Sequence, residues 1–403
     1  MTQSSIAWID FSEQDRRRMI EVVSLFKDRD TRDELGLGSI RNAFADLFFP
    51  GTSTLQTRAR YFFFVPWIYL YFEERRVPSR RIAPRLKQDE VKLMRALQAE
   101  GETEGIIGQR SGASLQRFPS SIYWNGLRTW GILRYPGSPD QYHRSFDQFH
   151  ERRRERLTFE DGEPVGGWGD GNWDAGLPSI PEDFPDQASF QLEPEEAAYL
   201  RERLLLSCPD SLLATLVDRC KPTDDVRSVW MHPQLQLFPS YQRISIFHAR
   251  HLAVTMYAAV LLYNLMLAEL RQDDALVKEY LVGFEEWQSE LDAYHADLDG
   301  WDRAEFWQLV TGAGRIPWPT QRFVNEWLDL LLMDNAVPDL TSNNRARSLI
   351  RNRETWLKRG RSRFESQRHL EMWSGAAGLG LLDYRWSIAR RIVNDILHGL
   401  EAG

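Results

Sequence analysis

The chain has 403 residues and a formal net charge of −8, with 42% hydrophobic and 12% aromatic residues, including 15 Trp. That length exceeds one compact core of ordinary size, and so many aromatic side chains argue against disorder, so two folded domains are expected. The acidic balance disfavours a nucleic-acid binder that uses its whole surface while leaving room for a local basic patch. The absence of a phosphate loop, a dinucleotide fingerprint, H-E-x-x-H, paired C-x-x-C or a nucleophile elbow removes most common enzyme classes.

Cys208 and Cys220 are the two cysteines. With no secretory or transit pattern at the start of the chain, they read as reduced thiols of a cytoplasmic protein. Six of the 50 basic residues are Lys and the rest are Arg, whose planar fork suits phosphate and carboxylate.

In chain order, Asp10 or Ser12 caps a first helix over 13–27, with Met19, Val22, Val23 and Phe26 on its apolar face. The stretch 33–72 is the most informative. Gly36 and Gly38 form a turn, and a short amphipathic helix follows with Ile40, Phe44 and Leu47 on one face. Pro50-Gly51 stops it, and the hydroxyls of Thr52, Ser53 and Thr54 start the next element, 55–72. From Tyr61 that element is apolar on every side, a buried helix or a buried strand, and length favours the helix. Its apolar run falls short of the ~20 residues that span a bilayer, so core rather than membrane is expected. Arg58 and Arg60 at its entrance must be paired, solvated or ligand-bound, because an unpaired buried guanidinium is costly. Together with Arg41 they are candidates for a ligand-binding or conformational role.

Residues 73–85, with Pro78 and Pro84, read as a connector and 88–99 as a helix. That helix carries Glu90-Val91-Lys92, the E-x-K half of a restriction-type nuclease site. The site needs a strand and a second carboxylate, so the helical setting weakens the match. Over 105–133 a helix at 122–130 fits a small tri-helical or winged-helix module, with Asn125, Arg128 and Thr129 available for base contact. His143, Asp147 and His150 share a helix face and have metal-ligand chemistry. Acids pairing with Arg144 and Arg152-Arg153-Arg154 account for the pattern better, so neither a metal nor a cofactor is expected. The Gly-, Pro-, Trp- and acid-rich stretch 158–192 is the expected connection between an N-terminal helical domain, 1–157, and a C-terminal one, 193–403. The second domain reads as helices at 194–206, 211–219, 243–271, 275–298, 302–310, 319–333, 343–358 and 384–400. Its centre is 250–270, where Asn264 must find partners among Leu261, Leu262, Leu265 and Met266.

Several long motifs carry a resemblance. RDELGLGSIRNAFADLFFPGTSTLQTRARYFFFVPW with IAWIDFS upstream, IIGQRSG followed by PSSIYWNGLRTWGI, GLPSIPEDFP, and ARHLAVTMYAAVLLYNLMLAE together cover most of the chain. They resemble an uncharacterised bacterial family of unknown function found in phage-defence gene neighbourhoods. The resemblance implies a setting in anti-phage defence, with other defence proteins as partners. It carries over no catalytic residue.

Two chemistries remain. Arg-x4-6-His spacings of helical ribonucleases occur at Arg144/His150, Arg227/His232, Arg243/His248, Arg363/His369 and Arg391/His398. Arg243 and His248 have the best setting for a metal-independent nuclease, the arginine stabilising a phosphorane and the histidine moving protons. Against this stands a basic concentration at Arg345, Arg347, Arg351, Arg353, Lys358, Arg359, Arg361, Arg363 and Arg368, with Trp356, Phe364 and Trp373 interleaved. The sequence is therefore read as a mainly α, two-domain, non-motor accessory protein of a defence system. It is expected to bind DNA or RNA, or a partner protein, and not to enter a membrane.

Overall fold

The computed structural model describes residues 33–109, 112, 115–151, 171–292, 298, 300–332 and 340–403. The expected helix 13–27 and the Arg152-Arg153-Arg154 run lie outside them. The fold is mainly α, with no strand among the described residues and a single antiparallel bridge between Leu133 and Trp173. In chain order the α-helices begin with α1 Gly38–Phe48, α2 Tyr61–Glu74, α3 Ser79–Ala99, α4 Pro119–Thr129, α5 Pro139–Arg144, α6 Pro194–Ser207 and α7 Leu212–Arg219. They continue with α8 Ser240–Leu270, α9 Asp274–Asp292, α10 Arg303–Ala313, α11 Trp318–Leu332, α12 Asn344–Lys358, α13 Gln367–Glu371 and α14 Trp386–Glu401.

The chain divides into two compact units, neither of them continuous in sequence. One comprises 33–44 with Ser245–Tyr384, and the other Ala45–Ile244 with Arg385–Gly403. Of the stretch 158–192, expected between domains, the described residues 171–192 fall within the second unit, as do α6, α7 and α14.

In the second unit α2 is the centre. Tyr61 to Leu70 and Phe72 are all buried, and Pro66 sits inside the helix, where packing on every side offsets the hydrogen bond its ring removes. Phe62 stacks on Trp130 with centroids 3.8 Å apart, and Phe64 stacks on Phe184. The segment 171–192 runs as a strap over this core. Trp173 is buried, Trp67 Nε1 donates to Pro178 O at 2.9 Å, and Phe190 N donates to Glu102 Oε1 at 2.6 Å. Helices α6 and α14 meet at Gly399, where a Cβ would lie 2.7 Å from that of Ala197, so only glycine permits the approach.

Two elements depart from the sequence reading. Helix α3 begins at Ser79, not at 88, and contains Pro84. Ile82, Leu86, Glu90, Leu93 and Leu97 form one buried stripe, and burying it outweighs the ~3 kcal/mol a proline costs within a helix. Around 105–133 the described residues hold a single α-helix, α4, and no strand pair. Its buried Tyr123, Trp124 and Leu127 are part of the surrounding core, so this segment is not a winged-helix module of its own.

In the first unit α8 is the core. It is the one helix among the described residues long and apolar enough to cross a membrane, and 89% of its most apolar window is buried inside the protein. Trp287 and Trp327 donate their indole N–H groups to Val254 O and Thr255 O on this helix, at 2.8 and 2.9 Å. Asn264 finds its partners: Nδ2 donates to Val260 O and to Ala377 O, each at 2.8 Å.

Candidate nucleic-acid interface

The basic residues of 345–368 fall into two groups. Helix α12 is capped by Asn343, whose side chain accepts from Arg345 N and Ala346 N. Its inner face carries Arg353, 6% exposed, sandwiched between the rings of Phe323 and Trp356. Arg353 Nε donates to Leu35 O at 2.8 Å, Nη1 to Pro319 O at 3.0 Å, and Nη2 to Thr320 Oγ1 at 2.9 Å and Gly36 O at 3.3 Å. Burial lowers its pKa, with the charge of Asp33 opposing, while its hydrogen bonds go to carbonyls and the Thr320 hydroxyl.

The opening of the 33–72 stretch is what receives these cations. Asp33 accepts from Leu37 N and Gly38 N at 2.7 Å each and so caps the start of α1. Glu34, 3% exposed, lies 2.5 Å from Lys358 Nζ and 3.0 Å from Arg363 Nη1. Gly36 has a φ of +73°, and a Cβ there would stand 2.5 Å from Arg353 Nη2. The D-E-L-G-L-G run is thus a bracket that docks on α12, and Gly36 is required both by its backbone and by the guanidinium beside it.

A second bracket orders the turn after α12. Glu354, fully buried, accepts from Ser362 Oγ at 2.5 Å and from Arg363 N at 2.9 Å. Between these anchors Arg359 and Arg361 project into solvent from a 3-10 turn. Arg359 adopts φ +52°, a conformation that glycine tolerates and an arginine pays for with strain.

Of the proposed binding residues, then, Arg353 and Arg363 are built into the frame. Arg363 Nη1 also donates to Tyr263 OH at 2.7 Å, and Arg347 pairs with Glu269 and donates to Thr341 O. Arg345, Arg351, Arg359, Arg361 and Arg368 are exposed, Arg351 lying 5.4 Å from the ring centroid of Phe364. Part of the cationic concentration complements the negative end of the α12 dipole. The aromatics divide likewise: Trp373 is buried under Arg271, whereas Trp356 is 58% exposed. The sequence reading missed Trp318, 66% exposed at the start of α11. The signal available was its position between Pro317 and Pro319, which fits a helix start, where burial is hard to achieve.

The remaining candidates are placed elsewhere. Arg41 donates to the adjacent Asn42 Oδ1. Arg58 forms a fork with Asp395, Nε and Nη2 reaching its oxygens at 2.9 to 3.1 Å, while Ala59 N adds a bond of 2.8 Å. Arg60 binds Glu196 Oε1 at 2.9 Å together with the backbone and hydroxyl of Ser189. Both arginines are therefore paired, each to its own carboxylate, and they do not converge on one ligand. The helix starts only at Tyr61 because Tyr123 OH accepts from Thr57 N and Arg58 N, holding those residues in a turn.

His248 is 1% exposed; its Nδ1 accepts from Trp301 Nε1 at 2.9 Å and its Nε2 lies 3.3 Å from Glu305 Oε2. Burial lowers its pKa, with Glu305 opposing. A ring so placed offers no free basic nitrogen, and Arg243 sits at an exposed position five residues earlier. Glu90 of the E-x-K match is buried on α3, while its Lys92 pairs with Asp186 at 2.7 Å. His143 Nε2 meets Tyr69 OH at 2.8 Å, Asp147 accepts from Ser79 N, and His150 Nε2 faces Val77 O, each engaged separately. No group of three His, Cys, Asp or Glu able to hold a metal is found among the described residues.

Over residues 3–399 the chain matches a family of unknown function, DUF6361, and it belongs to that family. No curated protein and no solved structure matches it.

Proposed function

We propose that this member of the family is a cytoplasmic, non-motor component of a bacterial anti-phage defence system that binds nucleic acid through the exposed arginines of 345–368. The observation that carries the binding is the separation within α12 and its following turn. Arg347, Arg353, Lys358 and Arg363 are held by the protein itself, while Arg351, Arg359, Arg361 and Arg368 face solvent on that braced frame. In a chain of net charge −8, four guanidiniums on one short segment make a local field of opposite sign, and each suits a bidentate phosphate contact. The defence setting, with other proteins of the system as partners, is supported by the resemblance of the long motifs quoted above.

The test is fluorescence anisotropy of labelled oligonucleotides over a salt series. With about three to four phosphates met, affinity for duplex should fall with a log-log slope of roughly −3 to −4. Arg359→Ala with Arg361→Ala should flatten the slope by about two units, because each lost contact removes released counterions. Arg347→Ala, which removes a cation already paired with Glu269, should leave the slope unchanged. Arg363 is left intact because its loss would break the Glu34 bracket. Binding indifferent to the 359/361 pair would return this surface to a protein-docking role. For the defence role, phage plating on cells carrying the same double variant should show lost protection.

A further inference from the structure

We infer that the ligand of this surface is single-stranded nucleic acid, with unpaired bases stacking on Trp318 and Trp356; the inference rests on the phosphate-binding reading above and narrows its substrate class. Two large indoles in water, at 66% and 58% exposure, stand out because every other tryptophan among the described residues is buried or half-buried. Both belong to the same unit as the exposed arginines and are tied together by one guanidinium. Arg353 lies 5.4 Å from the ring centroid of Trp356 and donates to the carbonyl of Pro319, the residue next to Trp318.

Each ring is also backed by a cation. Arg353 supports Trp356, and Arg322, itself paired with Glu326 at 2.6 Å, lies 5.8 Å from the centroid of Trp318. A ring steadied from one side and open on the other is an oriented stacking surface. Around them the charge is positive: Arg315 is exposed just before Trp318, and Arg359 and Arg361 follow Trp356 within five residues. Alternating phosphate cations and aromatic faces is what a chain of unpaired nucleotides requires, since every base offers a π-face. A duplex keeps its base faces within its own stack and could use only the cations.

The probes are labelled single-stranded DNA and RNA of one mixed sequence and the corresponding DNA duplex, with the full chain at low salt. Single strands should bind more tightly than duplex, and the DNA and RNA arms show whether the 2′-hydroxyl matters. Trp318→Ala and Trp356→Ala should each weaken single-strand binding by roughly five-fold to a hundred-fold, leave duplex binding unchanged, and be largely rescued by Phe. Circular dichroism melts check folding, and Trp318→Phe against Trp318→Ala keeps the test open should the Trp356 change disturb Arg353. Equal affinity for strand and duplex, or single-strand affinity untouched by both alanine changes, overturns this inference while the arginine-dependent salt slope still stands. If the wild-type chain binds none of the three probes, the phosphate-binding reading fails and the inference with it.

Discussion

Glu90 shows how one residue type takes opposite roles in sequence and in space. The E-x-K pattern points to catalysis, yet the carboxyl lies on the buried stripe of α3 and accepts from Ser120 N, 2.6 Å away, at the start of α4. It serves as a cap supplied by another helix, satisfying an N–H that α4 itself leaves open. Burial pushes its pKa up to about 7, the bond from Ser120 opposing. An acid whose folded pKa lies above its unfolded value binds the proton more tightly when folded, so its contribution is present below the unfolded pKa and is lost as pH rises toward 7. Glu90→Gln keeps an accepting oxygen and carries no charge. Urea denaturation should find it more stable than wild type by about 2 kcal/mol above pH 7, with the difference vanishing near pH 4. An unchanged or widening difference at low pH would contradict the buried-acid account.

At the scale of the element, α12 and its following turn show how a basic segment divides its labour. The outward side chains of such a helix are legible from sequence as cations, and nine were identified. Which of them face water was not legible, because Glu34 and Glu269, the acids that engage three of them, are remote in sequence. Arg359 is the sharpest case. Its φ of +52° is a position where glycine would be more comfortable, so the arginine is retained at a cost. Arg359→Gly should therefore raise thermal stability, by about 1 kcal/mol at the midpoint, while weakening nucleic-acid binding. A calorimetric melt beside the anisotropy titration separates the two effects. Loss of stability would mean that the side chain contributes to the fold, and unchanged affinity would mean that it does not contact the ligand.

For the whole molecule, the sequence suggests one division and the contacts suggest another. The Gly- and Pro-rich stretch 158–192 has the composition of a linker, yet 171–192 is packed through Trp173, Phe184 and Phe190 on the aromatic face of α2 and its neighbours. Helix α14 returns 19 C-terminal residues, Arg385–Gly403, to the unit that contains α2, where Asp395 takes Arg58 and Gly399 admits Ala197. A fragment of residues 193–403 lacks 33–44 of one unit and 45–192 of the other. It should show helical far-UV dichroism without near-UV signal and no cooperative urea transition, whereas a cooperative transition would favour the linear division. By itself the sequence determined the helical class, the burial of 61–72, the need for partners at Arg58, Arg60 and Asn264, and the basic segment. All of these follow from local periodicity and from the cost of burying polar groups. Tertiary structure alone decided which carboxylate meets which arginine, that Arg353 and Arg363 are framework, that His248 is capped by an indole, and that Trp318 is left in water. Each of those depends on residues tens to hundreds of positions apart, and short-range spacing carries no record of such pairings.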